Sequence, residues 1–156
     1  MIRVGFLIKS MGASQQAVYL TGQMNLLVHQ KPDYSVCSFY RNYDPMAIQP
    51  LFALLSEYDA WSFDGICVST DIDSTKTLIK CPSPKKKFFY VWDMEWTFDA
   101  TSKFSDMNYV YNNPEIELIC RSKFHYNIIS KIWKPPKTII EEYNYEQFAK
   151  FFKEQS

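Results

Sequence analysis

Two hydrophobic periods alternate along this chain. Ile2 to Ile8 (IRVGFLI) is an apolar run of strand length, and the loop Lys9 to Gln15 separates it from a segment where Ala17, Leu20, Met24, Leu27 and Val28 recur at spacings of three and four. The first pattern predicts a strand, the second a helix with one apolar side. Ser14 is placed to cap that helix and Lys31-Pro32-Asp33 to end it, because proline removes a helical N–H and restricts the residue before it. Tyr34 to Tyr40 (YSVCSFY) predicts a second strand.

Pro50 suits the first turn of a short helix carrying Leu51, Leu54, Leu55 and Tyr58 on one face. Asp64-Gly65 turns the chain into a third strand, Ile66 to Ser69, ending in Thr70-Asp71, after which Asp73 or Ser74 can start a helix burying Leu78 and Ile79. Phe88 to Trp96 (FFYVWDMEW) is apolar on both faces until Asp93 and Glu95. Such a run reads as a central strand covered on both sides, and sheets of that kind are usually parallel. An irregular polar stretch follows Trp96, and Phe104 to Tyr111 predicts a helix. Glu115 to Cys120 is a fifth strand, and Phe124, Ile128, Ile129 and Ile132 mark a helix broken by Lys134-Pro135-Pro136. Thr138 to Ile140 makes a sixth strand, and Tyr145 to Lys153 a closing helix with Phe148, Phe151 and Phe152 on one side.

Strands alternating with helices imply an α/β fold, a three-layer Rossmann-like sandwich with a mostly parallel six-stranded sheet and right-handed crossovers. The expected order is 3-2-1-4-5-6, in one domain over residues 1–156. In open parallel sheets ligands bind beyond the carboxyl ends of the strands, where the order reverses. On this order Ser10 to Ser14 and Asp93 to Trp96 flank one crevice.

Charge narrows the partners. Lys plus Arg number 17 and Asp plus Glu number 17, so no overall field draws the protein to nucleic acid or an anionic membrane. No run approaches the length of about 20 apolar residues that a spanning helix needs, and Met1 to Lys9 does not resemble a signal peptide. The four cysteines, Cys37, Cys67, Cys81 and Cys120, form no CxxC pair and read as small buried hydrophobes. A soluble, reduced, cytoplasmic protein is expected, with no cofactor and no resident metal.

Several residues could carry chemistry. Ser10, Met11, Gly12 and Ser14 lie between a strand and a helix N-terminus, where free N–H groups favour a phosphate or carboxylate. One glycine is too few for either phosphate-binding fingerprint, so a plain tight turn is the competing reading. Asp93 and Glu95 could serve as general base, as acceptors for sugar hydroxyls or as a pair of metal-binding oxygens, or else as a helix cap and a surface acid. Thr70, Asp71 and Asp73 end the third strand and Arg121-Ser122 the fifth; they could line the same rim as Trp96, with helix capping the simpler role. Lys85 to Lys87, near Lys76 and Lys80, is a basic patch that ordinarily marks a solvated face. His29 and His125 stand near helix ends, and local spacing builds no nucleophilic triad.

Four segments in order carry a resemblance: GFLIKSMGASQQA, FDGICVSTDIDSTK, KKKFFYVWDMEW, and IELICRSKFHYNI with TIIEEYNYEQF. Together they resemble the N-terminal half of two-domain (GT-B) glycosyltransferases, closest to such domains encoded by tailed phages. The resemblance implies an acceptor-side domain facing a donor sugar across an interdomain cleft, in a host cytoplasm. It implies that Met11, Gly12 and Ser14 match the loop near the donor phosphates and that Asp93 stands where a catalytic base is carried. It further implies a sugar acceptor or nucleotide sugar as ligand and a donor-binding domain supplied elsewhere, since the family's second domain would begin near Ser156. A non-catalytic interaction module, or a nucleotide-binding or other small-ligand domain of another family, would share the same sheet.

Overall fold

The computed structural model describes residues 1–98 and 104–156; part of the irregular stretch after Trp96 lies outside them. The chain runs β1 (Ile2–Ser10), α1 (Gln15–Gln30), β2 (Tyr34–Asn42), β3 (Ala53–Ser56), β4 (Ile66–Ser69), α2 (Ile72–Lys80), β5 (Lys86–Val91), α3 (Phe104–Tyr111), β6 (Glu117–Cys120), α4 (Lys123–Ile132), β7 (Thr138–Ile139) and α5 (Tyr145–Gln155). Short 3-10 turns occupy Glu57–Ser62, Glu95–Thr97 and Glu141–Tyr143. The strands form one sheet in the order β3-β2-β1-β4-β5-β6-β7, and every pairing is parallel. The Rossmann-like layout expected from the sequence is present, with seven strands in place of six.

The added strand lies where a helix is expected after Pro50. Asn25 on α1 grips the segment from both sides, donating to the Gln49 carbonyl at 3.0 Å and accepting from Leu51 N–H at 2.7 Å. Ser56 and Asp59 cap the 3-10 turn that follows, the Asp59 carboxylate accepting from Ser56 N–H at 3.0 Å. Between these anchors Ala53–Ser56 stays extended and satisfies the free edge of β2. Sheet pairing overrides the local helical spacing.

One consequence corrects the expected switch point. Ile66–Ser69 is the fourth strand and pairs directly with β1, so β4 stands between β1 and the Phe88 strand. The order reverses between β1 and β4, and the Ser10–Ser14 loop faces Thr70-Asp71 where Asp93 was expected. The central strand is also shorter than its apolar run. β4 reaches only Phe89 and β6 only Val91, so beyond Val91 no neighbour remains to continue the ladder.

β5 divides its side chains between two cores. Phe88, Tyr90 and Trp92 pack with the buried faces of α1 and α5, while Phe89 and Val91 pack with residues of α2, α3 and α4. Ala17, Leu20, Met24 and Leu27 are buried as the period predicts, and so are Phe148, Phe151 and Phe152. α4 differs: of its four apolar markers only Ile129 is buried, with Phe124 at 62% and Ile132 at 51% exposure. At β1, a side chain on Gly5 would bring its Cβ to 2.5 Å from Phe39 Cε2 and 3.2 Å from Phe63 Cε1. That space is where the two rings meet edge to face, 5.3 Å between centroids.

All four cysteines are free and buried. Burial pushes the Cys37 thiol up to about 12 and the Cys120 thiol to about 11, so neither supplies a thiolate near neutral pH. Among the described residues no helix is long and apolar enough to cross a membrane, and no group of three or more His, Cys, Asp or Glu is placed to hold a metal ion. The lysines near the amino end of β5 are partly neutralised by ion pairs, Lys85 with Asp64 at 3.1 Å and Lys87 with Glu115 at 3.0 Å.

Candidate functional site at the carboxyl end of the sheet

Most of the expected site residues sit at the carboxyl ends of the strands, but they divide into three groups. In the first, Ser10 Oγ accepts Gly12 N–H at 3.0 Å and donates to the Asp44 carboxylate. A Cβ on Gly12 would lie 3.0 Å from Asp44 Cβ and 3.1 Å from Ser10 Oγ, so a side chain there would have to push one of them aside. Ser14 caps α1, accepting from Ala17 N–H at 3.1 Å, and Met11 is buried against the α1 core. Gly12 N–H and Ala17 N–H are thus bonded within the loop, and the Asp44 carboxylate stands over it.

The second group is committed to the start of α2. Asp71 accepts from Ser74 N–H at 2.8 Å and from Ser74 Oγ at 2.6 Å and so fills the capping role that is its simpler reading in the sequence, with the helix starting at Ile72, ahead of Asp73 and Ser74. Glu95 accepts Ile72 N–H at 3.0 Å, which ties the turn after β5 to the same helix end. Negative charge is favoured at this pole of the helix dipole. The buried Thr70 hydroxyl donates to the Leu7 carbonyl at 3.0 Å and links β4 to β1. Trp96 packs edge-on against Tyr111 and near Trp133, within the core on the α3 side.

The third group opens on a cavity of about 350 Å³. Arg121 and Ser122 reach it from the end of β6, Glu141, Glu142 and Asn144 from the turn after β7, and Tyr19 and Gln23 from α1. The Arg121 guanidinium lies 4.3 Å from the centroid of the Trp92 ring and makes no ion pair or hydrogen bond among the described residues. Trp92 is itself buried and stacked on Tyr143, 5.4 Å between centroids. A planar cation held over a fixed aromatic face is pre-oriented for a planar or bidentate acceptor.

Two buried tyrosines, Tyr90 and Tyr143, anchor the turn after β7. Tyr90 OH donates to the Ile140 carbonyl at 2.6 Å and accepts Tyr143 N–H at 3.2 Å, and the two rings stack 4.2 Å apart. The Gln16 amide donates to Tyr143 OH and to the Thr70 carbonyl, both at 2.9 Å. Glu142 (φ 45°) and Tyr143 (φ 61°) are both left-handed, a region that non-glycine residues seldom occupy.

Ser122 caps α4 and its Oγ lies 2.7 Å from His125 Nδ1. Burial first, then the Arg121 charge, lowers the His125 pKa, and Asp93 offsets part of that fall. Asp93 is exposed. Of the eleven residues singled out by sequence, Arg121 and Ser122 line the cavity, while Asp71, Glu95, Thr70 and Ser14 are spent on caps and links. Glu141, Glu142, Asn144, Tyr19 and Gln23 are not among the residues singled out for chemistry in the sequence, although the first three lie in the segment TIIEEYNYEQF. The rule that points to Asp93 at the end of one strand points equally to Glu141 and Glu142 at the end of the last.

No family model, no curated protein and no solved structure matches the chain.

Proposed function

We propose that this chain is a glycosyltransferase-like ligand-binding domain that takes a nucleotide sugar, or a sugar bearing an anionic group, in the cavity between β6, the turn after β7 and α1. The observation that carries the reading is Arg121, stacked over Trp92 and without an acidic partner among the described residues. A guanidinium fork offers a phosphate two parallel hydrogen bonds. The carboxylates of Glu141 and Glu142 and the amides of Gln23 and Asn144 supply the mixed acceptors and donors that hydroxyl groups require. The four segments resembling acceptor-side GT-B domains support the same ligand class. Transfer itself calls for a donor-binding domain or chain, because holding one reactant without aligning the second leaves most of the barrier in place.

A thermal-shift titration against nucleotide sugars, free nucleotides and simple sugars tests the reading. A ligand at about 100 Kd stabilises the folded state by about 2.7 kcal/mol. Stabilisation by nucleotide sugars that disappears in Arg121→Ala is expected. The absence of any shift at millimolar ligand overturns the proposal and leaves the interaction-module reading, for which exposed Phe124 and Ile132 on α4 are the observation.

A further inference from the structure

The backbone of the turn after β7 costs the fold something at two adjacent positions, and only one of the two has a structural return. Left-handed backbone disfavours residues bearing a Cβ, because that atom crowds the neighbouring carbonyl oxygen. Tyr143 recovers this through complete burial, stacking on Tyr90 and Trp92, and two hydrogen bonds. Glu142 does not. Its side chain is exposed, it makes no hydrogen bond or ion pair among the described residues, and glycine or asparagine would occupy φ 45° and ψ 43° more cheaply. What the Glu142 side chain does is line the cavity that Arg121 also lines.

We infer that Glu142 is the specificity-determining residue of this cavity, held there to accept hydrogen bonds from hydroxyl groups of the ligand's sugar while Arg121 takes its anionic group. The inference rests on the reading of the cavity proposed above. A carboxylate is acceptor-only and can receive two hydroxyl protons at once, so it suits a vicinal diol. It also repels the additional negative charge on the unesterified terminal phosphate of a free nucleotide diphosphate, which biases the cavity toward the sugar-terminated ligand. Strain of this kind persists where surrounding structure over-determines it, and here the Tyr90 hydroxyl does so by holding Ile140 and Tyr143 on either side.

The test compares wild type with Glu142→Asn, Glu142→Gly and Glu142→Gln by calorimetric titration and thermal melting, using a nucleotide diphosphate sugar and the matching free nucleotide diphosphate. Melting temperatures of the asparagine and glycine variants at or above wild type are expected, since both relieve the backbone. Affinity for the nucleotide sugar should fall about tenfold or more in all three, the scale of a lost charge-assisted hydrogen bond, while affinity for the free nucleotide holds or rises. Equal nucleotide-sugar affinity in wild type and Glu142→Asn overturns this inference and leaves the cavity reading standing. A wild type that binds neither probe overturns both. A variant that binds normally but melts well below wild type assigns Glu142 a purely structural role and overturns the inference alone.

Discussion

Gln16 and Tyr143 stand 127 positions apart in the chain, and the side-chain amide of the first donates to the hydroxyl of the second at 2.9 Å. The same amide nitrogen reaches the Thr70 carbonyl. One side chain on the first turn of α1 therefore joins the end of β4 to the strained turn after β7. Tyr143 is fully buried, and Gln16→Leu removes its hydroxyl's donor. That change should cost about 1–3 kcal/mol. Tyr143→Phe should cost less, and the double variant less than the sum of the two, because residues in one network are not additive. Urea midpoints of the four proteins measure the coupling.

Arg121 over Trp92 makes a second prediction. Arg121→Lys keeps the charge but loses the plane that stacks and the fork that grips, so affinity for a nucleotide sugar should fall about tenfold. Melting of the unliganded protein should change little, because the guanidinium is without an ion pair among the described residues. Full retention of affinity in Arg121→Lys would show that only its charge matters.

The two acids at the end of β5 separate cleanly. Glu95→Ala deprives Ile72 N–H of its acceptor and should destabilise by about 0.5–2 kcal/mol, the range for lost helix caps. Asp93 is exposed, and Asp93→Ala should stay within about 0.5 kcal/mol of wild type. If Asp93 is the catalytic base that the resemblance implies, Asp93→Ala removes transfer activity in an assembly supplied with its donor domain while leaving that stability intact. Chemical denaturation of both variants, with an activity assay for Asp93→Ala, distinguishes a cap from a reacting group.

Burial and Arg121 hold the folded His125 pKa below the ordinary value of 6.5. In the window below that value the unfolded chain binds more protons than the folded one, so stability falls as the solution is acidified toward the folded pKa and is fully present above the unfolded pKa. His125→Gln should flatten this part of the stability profile between about pH 7 and 5. Melting temperatures over that range, wild type against variant, give the difference slope.

Gly5→Ala tests the packing of the second core. The new Cβ meets the Phe39 ring at 2.5 Å, and overpacking a core of this kind costs about 1–3 kcal/mol. Phe39→Leu in the same chain opens the space again and should recover part of the loss, which denaturant midpoints would record.

How far the sequence is legible follows from which forces are local. The faces of α1 and α5 can be read from Ala17, Leu20 and Met24, and from Phe148 and Phe152, because amphipathic period and burial agree there. Ala53–Ser56 is unreadable as a strand: Leu51, Leu54 and Leu55 suit a helix, and only the free edge of β2 and the grip of Asn25 decide otherwise. The site is legible in kind more than in membership. Placement at strand ends brings in Arg121 and Ser122, but the Asp44 carboxylate over Gly12 and the Glu95 bond to Ile72 are long-range contacts that no spacing announces. Glu142 is the reverse case, since its left-handed backbone is something its residue type gives no reason to expect.

β5 has a kinetic meaning beyond its place in the sheet. Its odd and even residues belong to different cores, so neither helical layer can detach without stripping one face of the same six-residue strand. The two layers should then lose structure together, in one cooperative transition. Backbone amides of Phe88 to Val91 would exchange with solvent deuterium only through complete unfolding of the molecule, whereas those of exposed β3 would exchange through smaller openings.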